Sequence, residues 1–453
     1  MCWGELPGLH QHSELYSKSC VLRTPERSEV EAVRRRKLRG AALPAEIDGR
    51  TELPSLPRAC VSLSPSPRLT FVRCIRIINR TGTRGKTLYI HSFQVAEGGT
   101  YIPQATTIDW LAKQYAKHSG LDAESAIRKI SRFACSPTQI AQRKTFLPEW
   151  ANVQPPETAV PRNLEQRMAT YRQEMGKALE FVMSPSKLMS LPSHILHVSC
   201  TGYTAPSIAE EWVSRRLSEN ATMDAPIVQH LYHMGCYASV PALRTAHGLI
   251  AIEPAASVAI VHTEFCSLHV HAATAPEQRV VQSLFADAVV KYEATGNPPP
   301  ARRSLRLLST LERIAPASID DMTWNLTSDR FDMTLSRHVP AKIRAHLPLF
   351  VKDLLERAGL STNDLPHMIA AIHPGGPRIV DQVLQALGLD ESQAVWSRKT
   401  LFEHGNVSSA TLPLLWKSVL DDGNGSSRHV LCLAFGPGLT LAGAVLEWTE
   451  PGG

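Results

Sequence analysis

The sequence predicts an α/β protein in which helices cover the faces of its sheets. Two observations carry that prediction. Short runs rich in Val, Ile and Leu alternate along the chain with longer segments whose apolar residues recur three and four apart, the order that βαβ units require. With 453 residues, 43% of them hydrophobic and 20% charged, the chain also has the apolar content to bury one large core or two related ones.

The regular pattern starts at Leu88. Residues 88–93 alternate as a strand does, and 107–118 and 123–133 carry helical periodicity. Further strands are predicted at 194–199, 257–262, 367–372 and 429–434. Helices are predicted at 164–183, 207–218, 240–247, 379–387 and 411–420. The segment Gly296-Asn-Pro-Pro-Pro300 suits neither a helix nor a strand ladder, and it marks the seam between an N-terminal half, 87–295, and a C-terminal half, 296–453.

Residues 1–86 read differently. Pro, Arg and Ser are frequent, Arg34-Arg-Arg-Lys37 forms a charge run, and periodicity is lacking. A disordered extension is expected, with a basic RNA-binding or targeting arm as the functional alternative. The lack of any Met between Met1 and Met168 also fits an assigned start upstream of the natural one, near Thr87. This segment holds 16 Lys/Arg against 8 Asp/Glu, whereas the remainder holds 32 against 34, so the net charge of +6 belongs to the extension. A body of that balance is not expected to track nucleic acid.

No apolar run is long enough to span a bilayer and the N-terminus lacks the order of a secretory signal, so a cytoplasmic protein without membrane insertion is expected. The nine cysteines are scattered and never spaced Cys-x-x-Cys, which argues against a disulfide framework or a zinc site. His269-Val-His271 would put two rings on one strand face, but no third ligand has matching spacing, and no metal is expected.

Three segments place reactive side chains beside glycine. Cys236, in Met234-Gly-Cys-Tyr237, precedes a run that reads as a buried helix, so the positive end of the helix dipole is expected to favour its thiolate. His373 ends a predicted strand and enters Pro-Gly-Gly-Pro, at the carboxyl edge where α/β proteins hold their chemistry. Asn406 lies in Glu403-His-Gly-Asn-Val-Ser408, ahead of another helix. A thiol, a base and an amide donor are the parts an acyl-transferring enzyme needs. Taken singly, each has a plainer reading as a core cysteine, a structural histidine or a helix cap.

Taken in order, Ser199-Cys-Thr-Gly-Tyr-Thr-Ala-Pro206, Gly235-Cys-Tyr-Ala238, His373-Pro-Gly-Gly-Pro-Arg-Ile379, Gly405-Asn-Val-Ser-Ser-Ala410 and Phe435-Gly-Pro-Gly-Leu-Thr440 resemble the motifs of type III polyketide synthases, the chalcone-synthase-like branch of the thiolase superfamily. The resemblance spans roughly residues 88–450. It implies a homodimer of thiolase-like subunits, each with two duplicated βαβαβαββ halves and buried mixed sheets. It further implies acyl transfer to Cys236, activation of that thiol by His373 as an imidazolium–thiolate pair, decarboxylation of a malonyl extender, and Claisen condensation with His373 and Asn406 holding the oxyanion.

The substrates implied are acyl-CoA and malonyl-CoA, or thioesters of an acyl carrier protein, with no cofactor and a pyrone or resorcinol as product. By the same resemblance Phe285 is an aromatic gatekeeper, Phe435 and Gly436 shape the cavity wall, and Arg143 and Lys144 are the candidates for gripping the carrier. Ala286, Ala288 and Tyr237-Ala-Ser-Val240 depart from the plant pattern. A stand-alone ketosynthase that joins two carrier-bound chains is the second reading. A decayed, non-catalytic scaffold and a Cys-His-Asn hydrolase are less consistent with five ordered motifs.

Overall fold

The computed structural model describes residues 87–151, 162–184, 186, 188, 191–271, 276–422 and 427–451. The extension predicted at 1–86 lies outside the described residues. Ahead of the Pro-rich break come β1 (Tyr89–Val95), β2 (Thr100–Pro103), α1 (Gln104–Ser119), α2 (Ala123–Ser131), β3 (Gln142–Thr145), α3 (Leu164–Val182), β4 (His194–Ser199), α4 (Ile208–Glu219), β5 (Ile227–Tyr232), α5 (Ser239–Ile252), β6 (Ser257–Phe265), α6 (Pro276–Leu284) and β7 (Asp287–Thr295). After it come β8 (Ser304–Ile314), β9 (Met322–Leu326), β10 (Phe331–Leu335), α7 (Val339–Arg357), β11 (Ile369–Ile372), α8 (Pro377–Leu387), α9 (Val395–His404), α10 (Thr411–Asp422), β12 (His429–Gly436) and β13 (Thr440–Thr449).

Local chemistry sets several of these boundaries. Asn163 and Gln166 form a reciprocal capping box that starts α3, and Ser207 and Glu210 form another that starts α4. Helix α8 opens on Pro377 and stops at Gly388 in the left-handed conformation.

Nine strands form one mixed sheet in the order β11-β12-β13-β8-β1-β7-β6-β4-β5. The same pairing occurs twice. Strand β4 is parallel to β6, which is antiparallel to β7, which is antiparallel to β1. Likewise β11 is parallel to β12, which is antiparallel to β13, which is antiparallel to β8. The two sets are continuous because Tyr89 and Ile90 of β1 pair with Arg306 and Leu305 of β8. Strand β5 extends only the first set, parallel to β4.

Alternation along the strands sorts side chains into layers. Leu196, Val198, Val258 and Ile260 face one way and pack with Val430, Cys432 and Ala434 around α5 and α10. Helices α5 and α10 therefore lie between the two sets of strands. The opposite faces are covered separately: Ile195, Ala259 and Val261 meet Tyr171, Met175 and Trp212 of α3 and α4, while Leu431 and Leu433 meet Phe350, Leu354 and Val380 of α7 and α8. Burial on both faces makes β4 and β6 largely apolar, with polar side chains such as His197, His262 and Glu264 buried among the apolar ones.

Among the described residues no helix is long and apolar enough to cross a membrane. Strands β5 and β11 are parallel members of the sheet, and the turns that follow them carry Cys236 and His373. Carboxyl ends of parallel strands open the crevice in which such sheets bind ligands.

Candidate active site

The chain leaves β5 through His233 and Gly235, both at positive φ (58° and 74°), and makes a single 3-10 turn, Gly235–Tyr237, before α5 begins. Two contacts fix this turn against the loop after β12. A Cβ on Gly235 would come within 2.7 Å of the Pro437 ring, and one on Gly436 would lie 2.3 Å from the Tyr237 ring. The Phe-Gly-Pro-Gly segment is thus the template on which the cysteine turn is moulded.

Asn406 is held by backbone pairing with the Phe285 turn. Its N–H donates to the Leu284 carbonyl at 2.9 Å, and its carbonyl accepts from the Ala286 N–H at 2.8 Å. Gly405 precedes it at φ 70°, where a Cβ would meet the Leu284 carbonyl at 2.9 Å. The Asn406 Oδ1 accepts the Ser408 N–H at 2.8 Å, which commits the oxygen locally and aims the amide nitrogen elsewhere. Ser408 Oγ lies 3.8 Å from the Cys236 Sγ and 2.9 Å from the Cys200 Sγ. Cys236, Asn406 and Ser408, from segments about 170 residues apart, therefore meet.

His373 follows β11, and its N–H donates to the Leu433 carbonyl of β12 at 2.7 Å. Its ring is 1% exposed, and both ring nitrogens lack a hydrogen-bond partner among the described residues. A buried imidazole with both nitrogens unengaged retains its full capacity to take a proton and to give one.

Burial drives both reactive groups toward neutrality. It pushes the Cys236 thiol up to about 12, with hydrogen bonding from Ser408 and Asn406 pulling down and the Glu264 carboxyl pushing up. It holds the His373 imidazole down at about 3. The thiolate expected from the helix N-terminus is opposed by burial: against a dipole contribution of about 1 to 2 kcal/mol stands the removal of the thiolate from water. Burial thus acts against the imidazolium–thiolate pair expected from the sequence, by favouring the neutral form of each group. Alkylation of Cys236 by iodoacetamide is accordingly expected to be slow at neutral pH and to rise about tenfold per pH unit toward the thiol's raised pKa. Mass spectrometry of the Cys236 peptide would follow it, and a rate already level from about pH 6 would show a standing ion pair instead.

Behind the cysteine lies a polar network that the sequence did not reveal. Glu264, fully buried on β6, accepts the Cys200 N–H at 3.2 Å, the Thr201 hydroxyl at 2.9 Å and the Ser409 hydroxyl. Burial pushes its carboxyl up to about 7, against those hydrogen bonds. A carboxyl inside an apolar strand was the signal that could have found it. His269 is pinned as well: its Nε2 donates to the Thr201 carbonyl at 2.7 Å and its Nδ1 accepts the Phe331 N–H at 3.1 Å.

Cys236 opens into a cavity with about 620 Å³ of atom-free space, walled by Cys200, Cys266, His269, Met322, Trp324 and Phe331. Phe285 borders this cavity and also a second one of about 640 Å³. Phe435 and Gly436 do not line it. Phe435 is buried in the cluster around α7 and α8, and Pro437 is the residue of that segment that reaches the cavity.

Arg143 and Lys144 are only 7% exposed, with their donors turned into the protein. The Arg143 guanidinium donates to Gln104 Oε1 at 2.9 Å and to the carbonyls of Gln282 and Phe285, and Lys144 Nζ donates to the Ala96 carbonyl at 2.8 Å. They brace the Phe285 turn and β3; with their charges buried, they are poorly placed to grip a carrier in solution.

Residues 306–449 match the family model for the C-terminal domain of chalcone and stilbene synthases. The 1,3,6,8-tetrahydroxynaphthalene synthase of Streptomyces griseus is 30% identical over 260 residues, covering 57% of this chain and 67% of that enzyme. Type III polyketide synthase A of Arabidopsis thaliana is 25% identical over 367 residues, 78% of this chain and 92% of its own. Of solved structures, the C-terminal type III polyketide synthase domain of a type I/III hybrid from Dictyostelium matches with a TM-score of 0.71 and 22% identity, over 80% of this chain and 99% of that one. The tetrahydroxynaphthalene synthase of Streptomyces coelicolor gives 0.65 at 24% identity, over 80% and 99%. At these identities the structural likeness is one of fold, the layered thiolase-like one.

Proposed function

The chain belongs to the type III polyketide synthases, the family of the chalcone and stilbene synthases, and on that premise we propose that Cys236, His373 and Asn406 carry its condensing reaction. As a member it is an acyltransferase that forms carbon–carbon bonds by decarboxylating condensation. The observation that carries the assignment is the meeting of Cys236, Asn406 and Ser408, with Cys236 and Ser408 bordering one cavity.

In the first step His373 takes the Cys236 proton as sulfur attacks the starter thioester, and the imidazolium returns that proton to the departing coenzyme A thiolate. Acyl-Cys236 remains. A malonyl thioester then loses carbon dioxide, and the electron pair of the broken bond becomes an enolate held by the Asn406 amide and the His373 ring. The enolate carbon attacks the acyl-Cys236 carbonyl, and the cysteine thiolate leaves. Charge that exists only in passing is what these donors stabilise, from side chains that are themselves buried. Phe285, bordering two cavities, is the gate in this reading.

A pyrone or resorcinol is the proposed product, and relatives named as synthases of tetrahydroxynaphthalene and of 3,5-dihydroxyphenylacetyl-CoA are consistent with ring closure to an aromatic. A second copy of the chain is the proposed partner: among the described residues β5 is an edge strand, and Ile227 on it is 55% exposed. Delivery by an acyl carrier protein is the second reading, favoured by the inward-turned heads of Arg143 and Lys144.

The test is incubation with malonyl-CoA and starters on coenzyme A or on carrier protein, with mass spectrometry of the products. Products from coenzyme A starters, in a series differing by one C2H2O unit, are expected. Products from carrier-protein starters alone would favour the second reading, and no condensation from either would overturn both.

A further inference from the structure

Resting on the reading of Cys236 as the nucleophile, we propose that His262 is a positioning residue for the condensing site: acting through the Ser409 hydroxyl, its ring holds the Glu264 carboxyl in an accepting, ionised state behind that cysteine. His262 and Glu264 lie two residues apart on β6 and so project from the same face of the strand. Both are fully buried, on a face whose other side chains include Val258 and Ile260.

The directions of the hydrogen bonds follow from counting protons. Ser409 Oγ donates its one proton to Glu264 Oε1, so toward His262 it can only accept. Its partner there is His262 Nδ1 at 3.0 Å, which must carry the N–H. Burial holds the His262 imidazole down at about 3, so the ring has a single proton and its Nε2 is bare. Nε2 then accepts from the buried Tyr292 hydroxyl at 3.4 Å, and the Tyr292 ring stacks on the imidazole at 5.7 Å. The other carboxyl oxygen, Oε2, accepts the Cys200 N–H at 3.2 Å, the Cys200 S–H at 3.4 Å and the Thr201 hydroxyl at 2.9 Å. Thr201 is committed too, because its oxygen also accepts the Phe265 N–H at 2.8 Å. Every proton in this chain points at Glu264.

A protonated Glu264 would have to reverse that order. Its own proton would go to Ser409 Oγ, Ser409 would turn its O–H to His262 Nδ1, and the ring would have to carry its proton on Nε2 instead. His262 therefore biases toward the ionised form a carboxyl that burial pushes up to about 7. The charge matters because the Glu264 carboxyl pushes the Cys236 thiol up, so an anion there opposes loss of the sulfur proton until His373 takes it. Cys200, Cys266 and Tyr171 feel the same carboxyl, and burial raises all three, so they stay neutral around the pH at which Glu264 changes charge.

The pH profile of Cys236 alkylation by iodoacetamide, read by mass spectrometry, tests this without any need for turnover. His262→Phe keeps a ring against Tyr292 but offers Ser409 no donor, so Glu264 is expected to ionise at higher pH than in the wild type. The variant-to-wild-type rate ratio is then expected to be about one at about pH 5, where the carboxyl is neutral in both proteins, and to rise to about three- to tenfold at about pH 8. His262→Asn, whose amide can donate from the Nδ1 position, is expected to restore the wild-type profile. On a Glu264→Gln or a Ser409→Ala background the His262→Phe change is expected to do nothing further, because the path is already cut; either background serves if the other does not fold. A ratio raised equally at every pH, or one that persists in these backgrounds, marks loosened packing and overturns the proposal. Wild-type rates throughout in His262→Phe overturn it as well. The condensation assay judges the catalytic reading separately, because alkylation requires no acyl transfer.

Discussion

Cys236→Ala is expected to abolish condensation, by about 10⁴-fold or more, while leaving decarboxylation of the malonyl thioester measurable. The size follows from covalent catalysis: without sulfur there is no acyl-enzyme for the enolate to attack. Of the neighbouring thiols, Cys200 is engaged by the Glu264 carboxyl and Ser408, and burial with Glu264 raises both Cys200 and Cys266 well above the ordinary thiol range. The donors proposed for the enolate, Asn406 and His373, are untouched by the substitution. Carbon dioxide release and product mass, followed together, check the two halves of the claim. Product at the wild-type rate would remove Cys236 from the mechanism.

The fold was legible where local chemistry and burial agree. Helices α3 and α4 declare themselves through Asn163 with Gln166 and Ser207 with Glu210, and β4 and β6 through short apolar stretches such as Val258-Ala-Ile-Val261. Strand β7 was missed because Lys291 and Glu293 interrupt its apolar run, although both are buried in the folded protein as a pair. Helix α7 was hidden by Pro348 within it, and α9 by a nearly even spread of polar and apolar residues. Glycine marked Cys236, His373 and Asn406 because turns at strand ends and close backbone contacts need it. Ser408, Cys200 and Glu264 carried no such mark, since their relation arises only when segments 64 to 208 residues apart meet. The pull of burial on the protonation state was hidden for a related reason. A helix start is visible in sequence, but the depth at which a thiol is buried is not, and depth dominates.

His373→Gln and Asn406→Asp are each expected to slow decarboxylation and condensation together, by about 10² to 10³ in rate, the usual effect of removing one oxyanion donor. The replacements are chosen so that the site keeps its shape. Asp at 406 retains an oxygen to accept the Ser408 N–H and leaves the backbone pairing with Leu284 and Ala286 intact, so its deficit reads out the lost amide donor. It also sets a carboxylate beside the thiol, which raises the thiol pKa further and slows alkylation of Cys236 as a second, independent signature. Gln at 373 retains a hydrogen-bond donor but cannot accept the thiol proton. Acyl transfer to Cys236 should therefore suffer more than decarboxylation in His373→Gln, whereas Asn406→Asp should impair both about equally. That difference separates a base from a donor, and it would not arise if either residue merely supported the fold. Wild-type decarboxylation in both variants would place the oxyanion site elsewhere in the cavity.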